Sequence, residues 1–246
     1  MRTLGIIGFG QFGRLAAQHL RTRFDVAVTD MEDRSAEAAA LGVAWLPLEE
    51  IATREIVIVA VPVQAMRGVF ERIAPHLRPG ALVIDVGSVK TLPVRWMLEL
   101  LPAEVDIVAT HPLFGPQSAK PGLTGLRLVV CPVRGGRETG VARIAREAGL
   151  VVNLTTPEEH DEEMAYVQAL THLIGRSLAN LGIPDEMLKT PSYQHLLDLC
   201  GLIGDDSFEL FTAIQTLNPF ARETAGRFVA EAQRLLDATN LPNPNS

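Results

Sequence analysis

Cysteine is scarce in this sequence. The 246-residue chain has two, Cys131 and Cys200, far apart and outside any C-x-x-C pair. That spacing supplies neither a zinc site nor a disulfide framework, so buried thiols are expected and no metal is. Long apolar runs are missing as well: none approaches the roughly 20 residues of a membrane span. The opening MRTLGII runs straight into a strand pattern without the basic, apolar and small-residue regions of a signal peptide, and the expected location is the cytoplasm. Basic tracts are absent and the formal net charge is −7, which argues against nucleic acid or an anionic membrane surface as partner. No internal repeat and no Gly/Ser-rich linker interrupts the chain. What remains is small-molecule chemistry, and 47% hydrophobic residues suffice for one large or two ordinary domains.

The stretch GIIGFGQFG holds Gly8, Gly10 and Gly13 in the pattern G-x-G-x-x-G. Glycines alone decide little, but Leu4 to Ile7 read as a buried parallel strand and Gln11 to Leu20 as a helix. In that setting Gly8 permits a tight turn, Gly10 lets backbone approach a pyrophosphate, and Gly13 lets helix and strand pack closely. The helix N-terminus supplies free N–H groups for the anion. A second apolar run, FDVAVTD, ends at Asp30, about 20 residues on, where the fingerprint places an acid for the ribose hydroxyls. Asp30 favours NAD over NADP; Arg34 works against it, because an arginine there holds a 2′-phosphate. The alternative is that Asp30 only caps a turn. The expected cofactor contacts are Gly8, Gly10, Gln11, Phe12, Gly13, Asp30, Val61, Pro62 and Ser88, with NAD as cofactor and NADP as the second possibility.

Up to about Asn153, short apolar runs alternate with helical stretches, which predicts βαβ units in a doubly wound, mostly parallel Rossmann-type sheet. After Thr156 the pattern turns helical, with Pro157 and acids at a helix start, Gly182 and Pro184 at its end, and later breaks at Gly201, Gly204 and Pro219. The predicted division is an α/β dinucleotide-binding domain at 1–153 and an all-helical domain at 154–246, with the active site in the cleft between them. The helical half is small for its apolar content, which predicts a homodimer through it. The tail LPNPNS is expected to fray.

Ligands of open α/β sheets bind beyond the carboxyl ends of the strands, so the residues there matter most. Val61-Pro62 follows one strand and either passes over a dinucleotide or is ordinary loop. Ser88 follows the next, where it reaches nicotinamide and substrate, caps the helix carrying Thr91, or does both. Lys90 reads as a solvated charge or ion-pair partner rather than a base. His111, held by Pro112 and followed by a turn containing Gln117 and Ser118, is an imidazole suited to proton transfer near neutral pH; the alternative is a core histidine. In the first helix of the second half, Gln168, Thr171, His172 and Gly175 fall on one stripe, facing either a ligand or an interhelical network. His160 and Asp161 read as caps in an acidic first turn.

With GFGQFG, DVGSVK, THPLFGPQSA, EEHDEEMAYVQALTHLIGR and GDDSFELF in order, the chain resembles the prephenate and arogenate dehydrogenases of tyrosine biosynthesis, most of all the plant-type arogenate branch. The resemblance implies oxidation of a ring C4 hydroxyl by hydride transfer to nicotinamide while C1 loses carbon dioxide. It makes His111 the group that takes the hydroxyl proton and Ser88 the residue that positions hydroxyl and nicotinamide. Substrate contacts are expected from Gln117, Ser118, Gln168, Thr171, His172 and Asp206. In this branch the acid before Ser-Phe goes with arogenate, and Asp206 holds that place unless it, or Asp205, only caps the next helix. The chain departs from relatives in having Gly175 where many carry a second histidine, Thr29-Asp30 where plant-type members carry Ser-Arg, and no motif-placed arginine for the substrate carboxylate; Arg176 and Arg222 are the candidates. A β-hydroxyacid dehydrogenase or imine reductase shares the layout, but those hydroxyacid enzymes need a lysine on the interdomain helix and 166–182 has none. A non-catalytic NAD-binding sensor has no need of His111 with Ser88.

Overall fold

The computed structural model describes residues 1–204 and 206–239. Its strands are β1 (Thr3–Ile7), β2 (Asp25–Thr29), β3 (Ala44–Trp45), β4 (Ile56–Val59), β5 (Leu82–Asp85), β6 (Asp106–Pro112), β7 (Arg127–Arg134) and β8 (Val151–Leu154). They form one 8-stranded sheet in the order β3-β2-β1-β4-β5-β6-β7-β8. Every neighbouring pair is parallel except β6–β7. Central strands with helices on both faces must be apolar on both sides, and all residues of β4 and β5 are buried, Asp85 included. The two-residue β3 lies in the short apolar run Val43–Leu46, between Gly42 and Pro47, too brief to mark a strand in the sequence; it joins the sheet by pairing with β2.

The helices that cover the sheet are α1 (Gln11–Leu20), α2 (Ser35–Leu41), α3 (Leu48–Ala52), α4 (Val63–Ile73), α5 (Thr91–Leu100) and α6 (Glu138–Glu147). The core on one side joins Leu4, Ile6, Val26, Ile58 and Ile84 from the strands to Ala17 of α1 and Ala145 of α6. From β1 the chain winds outward to β2 and β3, then returns to β4 on the other side of β1. This reversal puts a topological switch point at the carboxyl ends of β1 and β4, the place where open sheets receive ligands.

Two compact units divide the chain, the first from Met1 to His160 and the second beginning at Asp161. The division falls inside helix α7 (Pro157–Met164). Beyond it lie a π-helical turn at Ala165–Leu170, then α8 (Thr171–Leu181), α9 (Pro191–Gly204), α10 (Phe208–Leu217) and α11 (Ala221–Ala238). Gly182, left-handed at φ 69°, ends α8 where the sequence places the stop. Gly201 does not break α9: an interior glycine costs about 1 kcal/mol against alanine, and packing on α8, where Gly175 lies against Leu199 and Ile203, overrides it. Among the described residues no helix is long and apolar enough to cross a membrane. The tail LPNPNS and Asp205 lie outside the described residues.

Candidate active site

The glycine turn joins β1 to α1 with little room to spare. Gly8 has φ 96°, and a Cβ there meets the Ala60 carbonyl oxygen at 2.4 Å. A Cβ on Gly13 lands 1.9 Å from the Gly8 carbonyl oxygen, whereas one on Gly10 meets nothing within 4 Å. Gly8 and Gly13 are thus required by the protein's own packing, and Gly10 leaves open space beside the turn, as a dinucleotide-binding turn requires. Val61 borders the turn through Cγ1, and the exposed Pro62 precedes α4. Gln11 is exposed at the start of α1; the Phe12 ring lies 6.3 Å from that of Phe114. Both line an apolar cavity of about 250 Å³ over the sheet that contains neither Ser88 nor His111.

Asp30 is half-buried at the end of β2. Its Oδ2 accepts from Phe9 N at 2.6 Å and its Oδ1 from Glu32 N at 3.2 Å, so it does hold a turn, tying β2 to the glycine loop. Each oxygen keeps acceptor capacity for a ribose hydroxyl. Arg34 Nη2 donates to Glu32 at 2.5 Å and Nη1 to Glu37 at 3.5 Å, while its buried Nε has no hydrogen-bond partner.

Ser88 follows the carboxyl end of β5, and His111 is the penultimate residue of the adjacent parallel strand β6. Both are buried. Ser88 does not cap α5: the helix starts at Thr91 with Lys90 at its N-cap, and the buried Ser88 hydroxyl has no protein partner. Such an orphaned polar atom is costly unless a ligand or water satisfies it. Lys90 is not solvated; it has no exposed surface and pairs with Asp85, equally buried.

His111 Nδ1 lies 2.9 Å from His160 Nε2, with the rings nearly edge-on at 71°. This corrects the reading of His160 as a cap. The cap of α7 is a reciprocal pair, Glu159 N donating to Thr156 Oγ1 at 3.2 Å and Thr156 N to Glu159 Oε2 at 3.1 Å, which frees His160 to turn inward to 1% exposure. Burial pushes the His111 imidazole well below its ordinary value, and the nearby His160 and Lys90 push the same way. It is therefore neutral at neutral pH. With one nitrogen engaged by His160, the other is available as a base.

In the second unit, the π turn and α8 carry a polar face. Gln168 Oε1, His172 Nδ1 and Arg176 Nε are buried without a hydrogen-bond partner. Thr171 is half-buried between them in sequence, and Gly175 is turned away against α9. Asp206 Oδ2 is 3.7 Å from His172 Nδ1. Asp206 does not cap α10; Ser207 does, its hydroxyl accepting from Leu210 N at 3.1 Å. Burial lowers the His172 pKa, opposed by Asp206 and reinforced by Arg176. Arg176 donates to the Asp206 carbonyl at 2.6 Å and stacks over Phe208 and Phe211 at 5.8 and 5.2 Å. Arg222 is exposed on α11, and Gln117 and Ser118 are exposed in the turn after β6.

A doubly wound sheet with a phosphate-type glycine turn, a buried neutral histidine at a strand end and a helical second unit defines a Rossmann-type dinucleotide-binding protein. Residues 16–148 match the family model of the prephenate dehydrogenase nucleotide-binding domain, and residues 156–240 that of its dimerization domain. The chain belongs to the prephenate dehydrogenase family. It is 33% identical to arogenate dehydrogenase 1, chloroplastic, of Arabidopsis thaliana over 92% of this chain and 37% of the relative. It is 30% identical to a probable arogenate/prephenate dehydrogenase of Methanocaldococcus jannaschii over 95% of this chain and 56% of the relative. The chain thus spans between about a third and somewhat over half the length of these two relatives. The crystal structure of prephenate dehydrogenase from A. aeolicus, in complex with hydroxyphenyl propionate and NAD+, superposes with a TM-score of 0.77 at 21% identity, covering 97% of this chain and 89% of that one, a likeness of fold.

Proposed function

We propose that this chain oxidises and decarboxylates arogenate, with prephenate as the lesser substrate, using NAD. The observation that carries the reading is the buried His111–His160 pair near the end of β6, with the orphaned Ser88 hydroxyl following the neighbouring strand β5. The residues that fit a dinucleotide are Gly8, Gly10 and Gly13 at the pyrophosphate, Asp30 at the ribose, Val61 and Pro62 over its path, and Ser88 towards the nicotinamide. When bound, the nicotinamide supplies the acceptor for the hydride from ring C4. His111 Nε2 takes the proton of the C4 hydroxyl as the carbonyl character develops. For that nitrogen to be unprotonated, Nδ1 must carry the hydrogen and donate it to His160 Nε2, so His160 fixes both the tautomer and the ring plane. Ser88 orients the hydroxyl. The C1 carboxylate leaves as carbon dioxide and its bonding pair enters the ring, which becomes aromatic as the C4 oxygen takes the proton back from His111.

Asp30 sets a negative charge where NADP carries its 2′-phosphate, and Arg34 is held by Glu32 and Glu37, so NAD is the preferred cofactor. Asp206, Gln168, Thr171 and His172 are the substrate-binding groups of the second unit, and Asp206 selects the ammonium of arogenate over the keto group of prephenate. Gln117 and Ser118 belong to the turn that follows His111 and contact substrate from there. His111→Asn tests the reading: turnover of arogenate falls by about 100-fold or more, the scale of a lost general base, while dinucleotide binding holds. Unchanged turnover removes His111 from the chemistry.

A further inference from the structure

Two charges beneath the strand ends take no part in the chemistry assigned above. Lys90 and Asp85 are fully buried, and the ammonium pairs with Asp85 Oδ2. Burial of a charge pair is a weak stabiliser, since well-packed apolar side chains of similar volume often serve the fold as well or better. The pair is better explained by what it joins. The β5–β6 backbone register ends at Asp85 opposite Ala109. Past that point the linkage is made by side chains. Thr110 Oγ1 donates to the Asp85 carbonyl at 2.6 Å, Lys90 Nζ donates to the Thr110 carbonyl at 2.6 Å, and Gly87 N donates to Asp85 Oδ2 at 2.9 Å. The Thr110 carbonyl immediately precedes His111, and Gly87 immediately precedes Ser88.

We propose that Lys90 is a positioning residue which, through Asp85, fixes the segments carrying Ser88 and His111 against each other. The proposal rests on the reading of His111 as proton acceptor. Lys90 Nζ reaches both the Asp85 carboxylate that accepts from Gly87 N and the Thr110 carbonyl, and so adds a charged link to the Thr110 Oγ1 bond between the two segments. The pair also bears on protonation. The ionisable groups around His111 are Lys90 from the segment before α5, its partner Asp85 from β5, and His160 from α7. The Lys90 cation, like burial and His160, opposes a proton on the imidazole.

The test uses the full chain with Lys90→Met, Lys90→Arg and the double variant Asp85→Asn/Lys90→Met, with folding checked by circular dichroism. Lys90→Met keeps dinucleotide binding but lowers kcat by about 100-fold, the scale of a misplacement of about an ångström. It also moves the acid limb of kcat/KM to higher pH, because loss of the cation raises the imidazole pKa and turnover needs the neutral ring. Lys90→Arg keeps the charge and the limb. The double variant, which leaves no lone charge and so guards against loss of folding, keeps the low kcat, and its limb also stays above that of the parent because it too lacks the cation. A folded Lys90→Met chain with parental kcat, or one that loses kcat with the limb unmoved, overturns the proposal. Should the parent turn over neither substrate, the functional reading fails, and the His111 titration followed by NMR decides this one separately. An upward shift in Lys90→Met supports it, and no shift overturns it.

Discussion

Asp206 is the residue proposed to set substrate choice. Its competing role is gone, because Ser207 caps α10, and its carboxylate stands 3.7 Å from His172 on the face where Gln168 and Arg176 also have orphaned atoms. Asp206→Asn is expected to leave stability unchanged and to lower the ratio of arogenate to prephenate efficiency by about tenfold or more, the worth of one charge-assisted contact. Steady-state kinetics with both substrates measures this, and an unchanged ratio takes substrate choice away from Asp206. Single residues differ in how far their place in the fold is legible in the sequence. His111 stood out because a histidine at a strand end, stiffened by Pro112, has a chemical reason to be there. His160 did not, because an acidic helix start explains a histidine equally well until the Thr156–Glu159 cap is seen to be complete without it. Lys90 was readable as an ion-pair partner, but not as a buried one, since nothing in DVGSVK tells that its side chain turns under the sheet end.

At the scale of elements, the glycine turn is the most constrained piece. Gly13→Ala places a methyl 1.9 Å from the Gly8 carbonyl, a backbone atom that cannot swing aside. The variant is expected to lose about 3 kcal/mol, the upper end of an overpacked site, and with it dinucleotide binding. Gly10→Ala meets open space. Its stability stays within about 0.5 kcal/mol, while dinucleotide binding weakens because the methyl occupies the ligand's place. Urea unfolding and dinucleotide titration of both variants check the contrast; equal stability losses would show that the turn is packed otherwise. Strands with continuous apolar runs and caps such as Gly182 were legible, since burial on both faces and a left-handed stop leave local marks. The π turn at Ala165–Leu170 was not. AYVQAL has neither proline nor glycine, and the widened turn is selected by tertiary packing rather than by local propensity.

For the whole molecule, the second unit leaves large apolar side chains in solvent, among them Leu202 at 77%, Val229 at 59% and Leu236 at 59% exposure. Together with the match to a dimerization domain, this supports a homodimer built through the helical unit. Light scattering at micromolar concentration is expected to give twice the 26.7 kDa of one chain; a single-chain mass contradicts it. The proposed activity is one reaction with three products. The purified chain, given arogenate or prephenate with NAD or NADP, is followed at once for reduced cofactor, carbon dioxide and the aromatic product. The account predicts that all three appear in equal amounts, fastest with arogenate and NAD. Reduced cofactor without carbon dioxide, or no turnover in any of the four combinations, contradicts it.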